Sequence, residues 1–262
     1  MNPLPVAAVQ LTATVDPGGN AALVRAAVAQ AADSGARLVV LPEYSLAWAP
    51  RLRSELAEGH REFEAMLAAV AAEHQVWIAA GTLRPHGQRM HNVTLVLAPD
   101  GTERASYVKV HLFDAFGARE SEVLDAGEPG VAVVVEIEGW RVGLATCYDL
   151  RFPETFRVLA DAGAQVFAVG AAWATGPGKV DQLQVLARAR ALENTGYLIL
   201  ASQSGPGRCG HSSIIGPLAE ELAHATLVPE VVIAELDPER ITQVRQSVPS
   251  LQHRRYAVVP KS

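Results

Sequence analysis

Short apolar runs alternate along the chain with stretches whose apolar positions recur at helical spacing, the pattern of buried strands interleaved with amphipathic helices. Pro5–Leu11 reads as a strand. Asn20 then caps a helix reaching about Asp33, with Leu23, Val24, Ala27, Val28 and Ala31 at helical spacing and Gly35 beyond its end. Leu38–Leu41 is a buried strand stopped by Pro42, so Glu43 lies just past a strand's C-terminal end. A helix over roughly His60–His74 precedes a strand at Val76–Gly81. Val93–Leu97 and Glu103–Val108 pair across Pro99-Asp100-Gly101, and Val131–Ile137 pairs with Trp140–Ala145 across Glu138-Gly139. The last of these strands delivers Thr146 and Cys147 at its end. A helix from Pro153 to about Ala162, a strand at Gln165–Val169 and a helix over Asp181–Asn194 follow. Strands at Tyr197–Ser202, Ser212–Ile215 and Val231–Leu236 complete the pattern.

Hairpins mixed with β-α-β stretches fit a layered α/β sandwich better than a pure parallel sheet. No linker or repeat divides the chain, so residues 1–262 are expected to form one domain. With 49% of the 262 residues hydrophobic, a sizeable core is available. The net charge of -6, with no Lys/Arg cluster longer than two residues, argues against nucleic acid or anionic membrane as partner. Two cysteines, Cys147 and Cys209, are too few for a disulfide framework and fit a reducing compartment, with the cytoplasm as the expected location. The opening MNPLPVAAVQL lacks the basic start of a signal peptide, and no apolar stretch approaches the roughly 18 residues of a membrane span. The Asn92-Val93-Thr94 sequon is therefore read as a chance match.

Glu43, Lys109 and Cys147 share one property: each sits at or beside the end of an expected strand, where α/β folds assemble sites. A lone cysteine on a strand is usually core, and isolated Glu and Lys residues are usually solvated. Glu43, however, follows a buried strand and a proline, and Lys109 stands where the strand should still be apolar. A Cys–His reading with His111 or His211 as base is weaker, because strand alternation would turn His111 away from Lys109. No H-E-x-x-H or paired Cys-x-x-Cys suggests zinc. Gly205-Pro-Gly-Arg-Cys-Gly matches G-x-G-x-x-G but runs into a strand, which fails the dinucleotide context. Arg151 and Glu154 are expected to pair and steady the helix after the cysteine. Arg188, Arg190, Glu193 and Asn194 are expected to tie their helix to the sheet or to a subunit contact.

The segments Leu41-Pro-Glu-Tyr, Tyr107-Val-Lys-Val-His-Leu-Phe-Asp and Gly143-Leu-Ala-Thr-Cys-Tyr-Asp-Leu-Arg-Phe-Pro-Glu resemble the nitrilase superfamily of carbon–nitrogen hydrolases, whose members use a Glu–Lys–Cys triad. The likeness also covers Ala7-Ala-Val-Gln, Arg188-Ala-Arg-Ala-Leu-Glu-Asn and Gly210-His-Ser-Ser-Ile-Ile-Gly-Pro. It implies a four-layer α-β-β-α sandwich, no cofactor or metal, and a homodimer or larger homo-oligomer. An ordinary thiol is mostly protonated at neutral pH and needs a base. Glu43 can take the Cys147 proton, pass it to the departing amine and later activate water. Lys109 and the backbone N–H of Tyr148 then hold the developing oxyanion. The resemblance adds Glu120 as a second carboxylate, although the loop from Asp114 to Arg119 is shorter than in relatives and Glu122 and Glu128 stand close by. The His111-Leu-Phe-Asp and Glu120-Ser segments look most like the branch of omega-amidase and deaminated glutathione amidase. A small amide with a carboxylate tail is the expected substrate, with Trp48, Trp173 and His111 as candidate pocket residues. A carbamoyl hydrolase, a nitrilase, a thiol acyltransferase and a binding protein that keeps the fold are the alternatives.

Overall fold

The continuous apolar runs are strands buried on both faces. In the computed structural model, which describes residues 1–261, the chain order is β1 (Leu4–Gln10), α1 (Pro17–Asp33), β2 (Leu38–Val40), α2 (His60–His74), β3 (Trp77–His86), β4 (Arg89–Leu97) and β5 (Glu103–Val108). It continues with β6 (Val134–Ile137), β7 (Trp140–Thr146), α3 (Pro153–Asp161), β8 (Val166–Ala171), α4 (Lys179–Glu193) and β9 (Tyr197–Ser202). The remainder is β10 (Ser213–Ile215), β11 (Glu221–His224), β12 (Glu230–Leu236), α5 (Pro238–Ser247) and the short α6 (Ser250–His253).

These strands make two mixed six-stranded sheets, ordered β12-β1-β2-β3-β4-β5 and β11-β10-β9-β8-β7-β6. Alternate side chains of each strand enter different cores, as a pleat requires. In β1, Ala7 and Val9 meet Val24, Val28 and Leu67 of α1 and α2. Val6 and Ala8 instead meet Val142, Leu144 and Ile199 of the other sheet. On the far side, Phe167, Val169 and Leu200 meet Phe156, Leu183 and Ala187 of α3 and α4. The result is an α-β-β-α sandwich, as expected. No helix among the described residues is long and apolar enough to cross a membrane.

Several element boundaries differ from expectation. Asp16, not Asn20, caps α1: its carboxylate accepts from the Gly18 N–H at 3.0 Å, with Pro17 in the first turn. Asn20 lies inside the helix, buried, donating to the carbonyls of Thr14 at 2.8 Å and Leu46 at 3.0 Å. The β3–β4 hairpin runs on to a turn at Gly87, past the strand ends expected at Gly81 and Val93, because Leu83 and Met90 still bury completely. β6 starts three residues later than Val131. β11 and α5 had no sequence counterpart; α5 is capped by the Asp237 carboxylate on the Glu239 N–H at 2.8 Å.

Candidate active site

β2 ends at Val40, but the chain keeps following β3: the Leu41 N–H reaches the Ala79 carbonyl at 2.8 Å and the Ser45 N–H the Gly81 carbonyl at 3.0 Å. Glu43 is thereby held rigidly, 1% exposed, in the seam between the sheets. Two glycines make room for its backbone. A Cβ on Gly170 would lie 2.8 Å from the Glu43 nitrogen, and one on Gly81 2.4 Å from the Pro42 carbonyl oxygen. Gly170→Ala must therefore displace Glu43, since backbone atoms cannot swing aside. The expected loss is about 1–3 kcal/mol of stability and about 10²-fold in kcat, read by thermal melting and ammonia release. A kcat unchanged in Gly170→Ala would show that this contact does not place Glu43.

Lys109 follows β5 directly and is fully buried. Its ammonium donates to Glu43 Oε1 at 2.8 Å and to both Glu120 oxygens, at 2.8 and 3.1 Å. Burial acts to lower the Lys109 pKa, but the charges of Glu120 and Glu43 prevail and hold it well above the usual lysine value. Glu120 stands in a short 3₁₀ turn. It also accepts from the Tyr44 hydroxyl at 2.8 Å and the Phe113 N–H at 2.7 Å. Glu122 and Glu128 are exposed, so Glu120 is the carboxylate of its loop that reaches Lys109. Glu43 accepts further from the Asn92 amide at 2.7 Å and the Ala172 N–H at 2.8 Å.

β7 delivers Cys147 from the other sheet. The residue sits at φ 46, a left-handed conformation that costs a non-glycine residue on the order of 1–2 kcal/mol. A capping box holds this bend: the Thr146 side chain accepts from the Asp149 N–H, and Asp149 Oδ2 accepts from the Thr146 N–H at 2.8 Å. Asp149, fully buried, also accepts from the Tyr107 hydroxyl at 2.8 Å and from His111 Nδ1 at 2.7 Å. Burial, reinforced by the Glu43 charge and opposed by Lys109, pushes the Cys147 thiol well above its usual range. The Tyr148 N–H lies in the first turn of the 3₁₀ segment Cys147–Arg151, where amides lack an acceptor within the helix.

The structure thus brings Glu43, Lys109, Glu120 and Cys147 together. The weaker candidates fare differently. His111 lies beyond the end of β5, so strand alternation does not govern it; its ring is bonded to Asp149 and stacked 3.7 Å from Phe152. Trp173 shares an apolar cluster with Cys147 and donates to the Lys179 carbonyl at 3.1 Å. Arg151 does not pair with Glu154, which is exposed; it reaches Gln182 at 2.7 Å and lies over Trp173. Arg190 and Asn194 are tied inward, Arg190 donating to the Leu150 carbonyl at 2.9 Å. Asn92 and Asp149 were missed. The signals were small polar residues, Asn92 and Thr94, alternating inside an apolar strand, and the T-x-x-D spacing of Thr146 and Asp149. Among the described residues, His86, His91 and Asp125 are the group close enough to share an ion, but Asp125 is already bonded to His86 and Arg89 at the tip of the β3–β4 hairpin.

Comparison with known proteins gives the same picture. The family model described as carbon-nitrogen hydrolase matches residues 5–246. Deaminated glutathione amidase of Escherichia coli O157:H7 is 36% identical over 268 residues, covering 96% of this chain and 97% of that protein. The chloroplastic omega-amidase of Arabidopsis thaliana is 34% identical, covering 94% of this chain and 71% of the other. The crystal structure of an amidase from Nesterenkonia sp. superposes with a TM-score of 0.83 at 28% identity, covering 96% of this chain and 93% of that one. A variant of that amidase carries the acetamide moiety of fluoroacetamide covalently added at its active-site cysteine.

Proposed function

We propose that this chain, which belongs to the carbon–nitrogen hydrolase family and so hydrolyses non-peptide carbon–nitrogen bonds, is a thiol amidase that releases ammonia from a small amide bearing a carboxylate tail. The observation that carries the residue assignment is the buried network in which Lys109 bonds both Glu43 and Glu120, while the Thr94–Thr146 hydroxyl pair ties the strand ending at Cys147 to the sheet that carries them.

In this reading the Cys147 sulfur attacks the amide carbon as its proton passes to Glu43. The negative charge forming on the carbonyl oxygen meets the Tyr148 N–H and Lys109. An ammonium has three N–H donors; one goes to Glu43 and one is shared by the Glu120 oxygens, which leaves one for the oxyanion. Glu43 returns its proton to the nitrogen as the C–N bond breaks and ammonia leaves. Glu43 then takes a proton from water as it cleaves the thioester, and the sulfur recovers a proton from Glu43 as the acid departs. Glu120 keeps Lys109 charged and aimed, Asp149 and His111 fix the bend at Cys147, and Trp173 provides an apolar wall.

The carboxylate tail is supported by the named activities of the two relatives above. The test is a panel of ω-amides of dicarboxylic acids, neutral amides, carbamoyl compounds and nitriles assayed for ammonia without any acceptor. Turnover of nitriles or carbamoyl compounds alone would overturn the amidase reading, and product only in the presence of hydroxylamine would favour an acyltransferase. Self-association is part of the same reading: Val185 and Leu192, seven residues apart on α4, are 64% and 48% exposed, an apolar outer face suited to a second copy. Sedimentation is expected to show a dimer or larger species, and a monomer at micromolar concentration would refute it.

A further inference from the structure

We propose that Arg208, braced against Trp48 at the rim of the Cys147 site, is the specificity residue that binds the substrate's carboxylate tail. This rests on the amidase reading above and assigns its tail a partner.

Arg208 stands in the loop between β9 and β10, and its place is fixed from two sides. Its backbone bridges to Ala174, and the Cys209 N–H next to it donates to the Trp173 carbonyl at 2.9 Å. That segment begins with Ala172, whose N–H donates to Glu43 at 2.8 Å. On the other side, the Arg208 guanidinium carbon lies 3.8 Å from the centre of the Trp48 ring. Trp48 belongs to the loop that follows Glu43, so Arg208 links that loop to the segment that begins at Ala172.

Its hydrogen bonding is incomplete. Nη1 donates to the neighbouring Gly207 carbonyl at 2.8 Å, while Nε is buried without a partner among the described residues. Arg84, Arg240 and Arg254 each hold a carboxylate. Arg208 holds none among the described residues. A guanidinium presents donors in a flat fork that matches a carboxylate, and stacking on an indole sets that fork before the ligand arrives. Burial lowers the Arg208 pKa, and the groups that oppose this are Cys147, Glu43, Tyr44 and Glu120, all members of the site.

Charge balance gives the fork a purpose. Lys109 supplies one positive charge against the two carboxylates of Glu43 and Glu120, so the buried cluster by itself is net negative and repels an anionic substrate. Arg208 cancels that excess where the tail would lie. Neutral amides have no need of it.

The experiment compares kcat/KM for succinamate and glutaramate with that for butyramide and valeramide, in wild type, Arg208→Met and Arg208→Lys. Wild type is expected to favour the carboxylate-bearing amides. Arg208→Met should lower that preference by about 10²-fold, the scale of a charge-assisted hydrogen-bonded pair, mainly through KM, and Arg208→Lys should restore part of it. Any loss of folded protein in Arg208→Met divides out of the ratio. A preference that survives Arg208→Met, or equal losses on both kinds of amide, overturns the role of Arg208 alone. A wild-type ratio near one overturns the carboxylate-tail reading itself and this role with it.

Discussion

Cys147→Ala is expected to lower kcat by at least about 10⁴-fold, the scale seen when a covalent nucleophile is removed, while the protein still folds. The substitution deletes one sulfur atom from an apolar cluster and leaves a small void, costing about 1 kcal/mol. Alanine can hold φ 46 at the same penalty as cysteine, so the capping box between Thr146 and Asp149 persists. Cys147→Ser should be equally inert, since a hydroxyl is a far weaker acid than a thiol and Glu43 is too weak a base for it. Ammonia release measures the loss and thermal melting the fold. A kcat within tenfold of wild type would place the nucleophile elsewhere. The pair also reports the protonation state. Because burial and the Glu43 charge push the Cys147 thiol up, the ultraviolet thiolate absorbance of wild type minus Cys147→Ala should be absent at neutral pH and rise only well above the range of a free thiol.

Glu43→Gln is expected to reduce kcat by about 10²–10⁴-fold, the range for a general acid–base group, and more if both half-reactions depend on it. The amide is isosteric but presents an NH₂ to one of three donors: Lys109, Asn92 or Ala172. One of them then loses its acceptor, for about 1–3 kcal/mol of stability. The thiol should move the other way. Glu43 raises the Cys147 pKa and Lys109 lowers it; removing the first leaves the second, so the thiolate should appear at lower pH than in wild type although turnover has collapsed. Easier ionisation with lost activity would identify Glu43 as a proton carrier. Retained turnover, or a thiolate appearing at higher pH, would contradict that role.

What could be read from the chain depended on how local the cause was. The doubly buried strands announced themselves as unbroken apolar runs, as in Val166–Ala171. Glu43 and Lys109 stood out because charge beside a buried strand demands a partner, and the structure supplies it at 2.8 Å. Glu120 needed the family resemblance, since Glu122 and Glu128 are locally equivalent and only the fold of the loop separates them. Asn92 stands out locally only as part of a sequon; the bond that explains it reaches Glu43, 49 positions away. The pairing expected for Arg151 and Glu154 failed for the same kind of reason: Gln182 and Trp173, brought in by tertiary packing, compete for the guanidinium. The cap of α1 was misplaced where Asp16 and Asn20 both satisfied local rules, and the buried acceptors at Thr14 and Leu46 decided between them.

Cys147 and Glu43 come from opposite sheets. β7 carries Cys147, whereas Glu43 and Lys109 follow β2 and β5, and the ties across the gap include the Thr94–Thr146 hydroxyl pair at 2.9 Å and the Tyr107 bond to Asp149. Neither half of the polypeptide owns a reactive assembly. While the chain is being synthesised, or whenever its two leaves part, the cysteine is an ordinary thiol without its carboxylate. The arrangement therefore exists only in the folded molecule, with both sheets packed together.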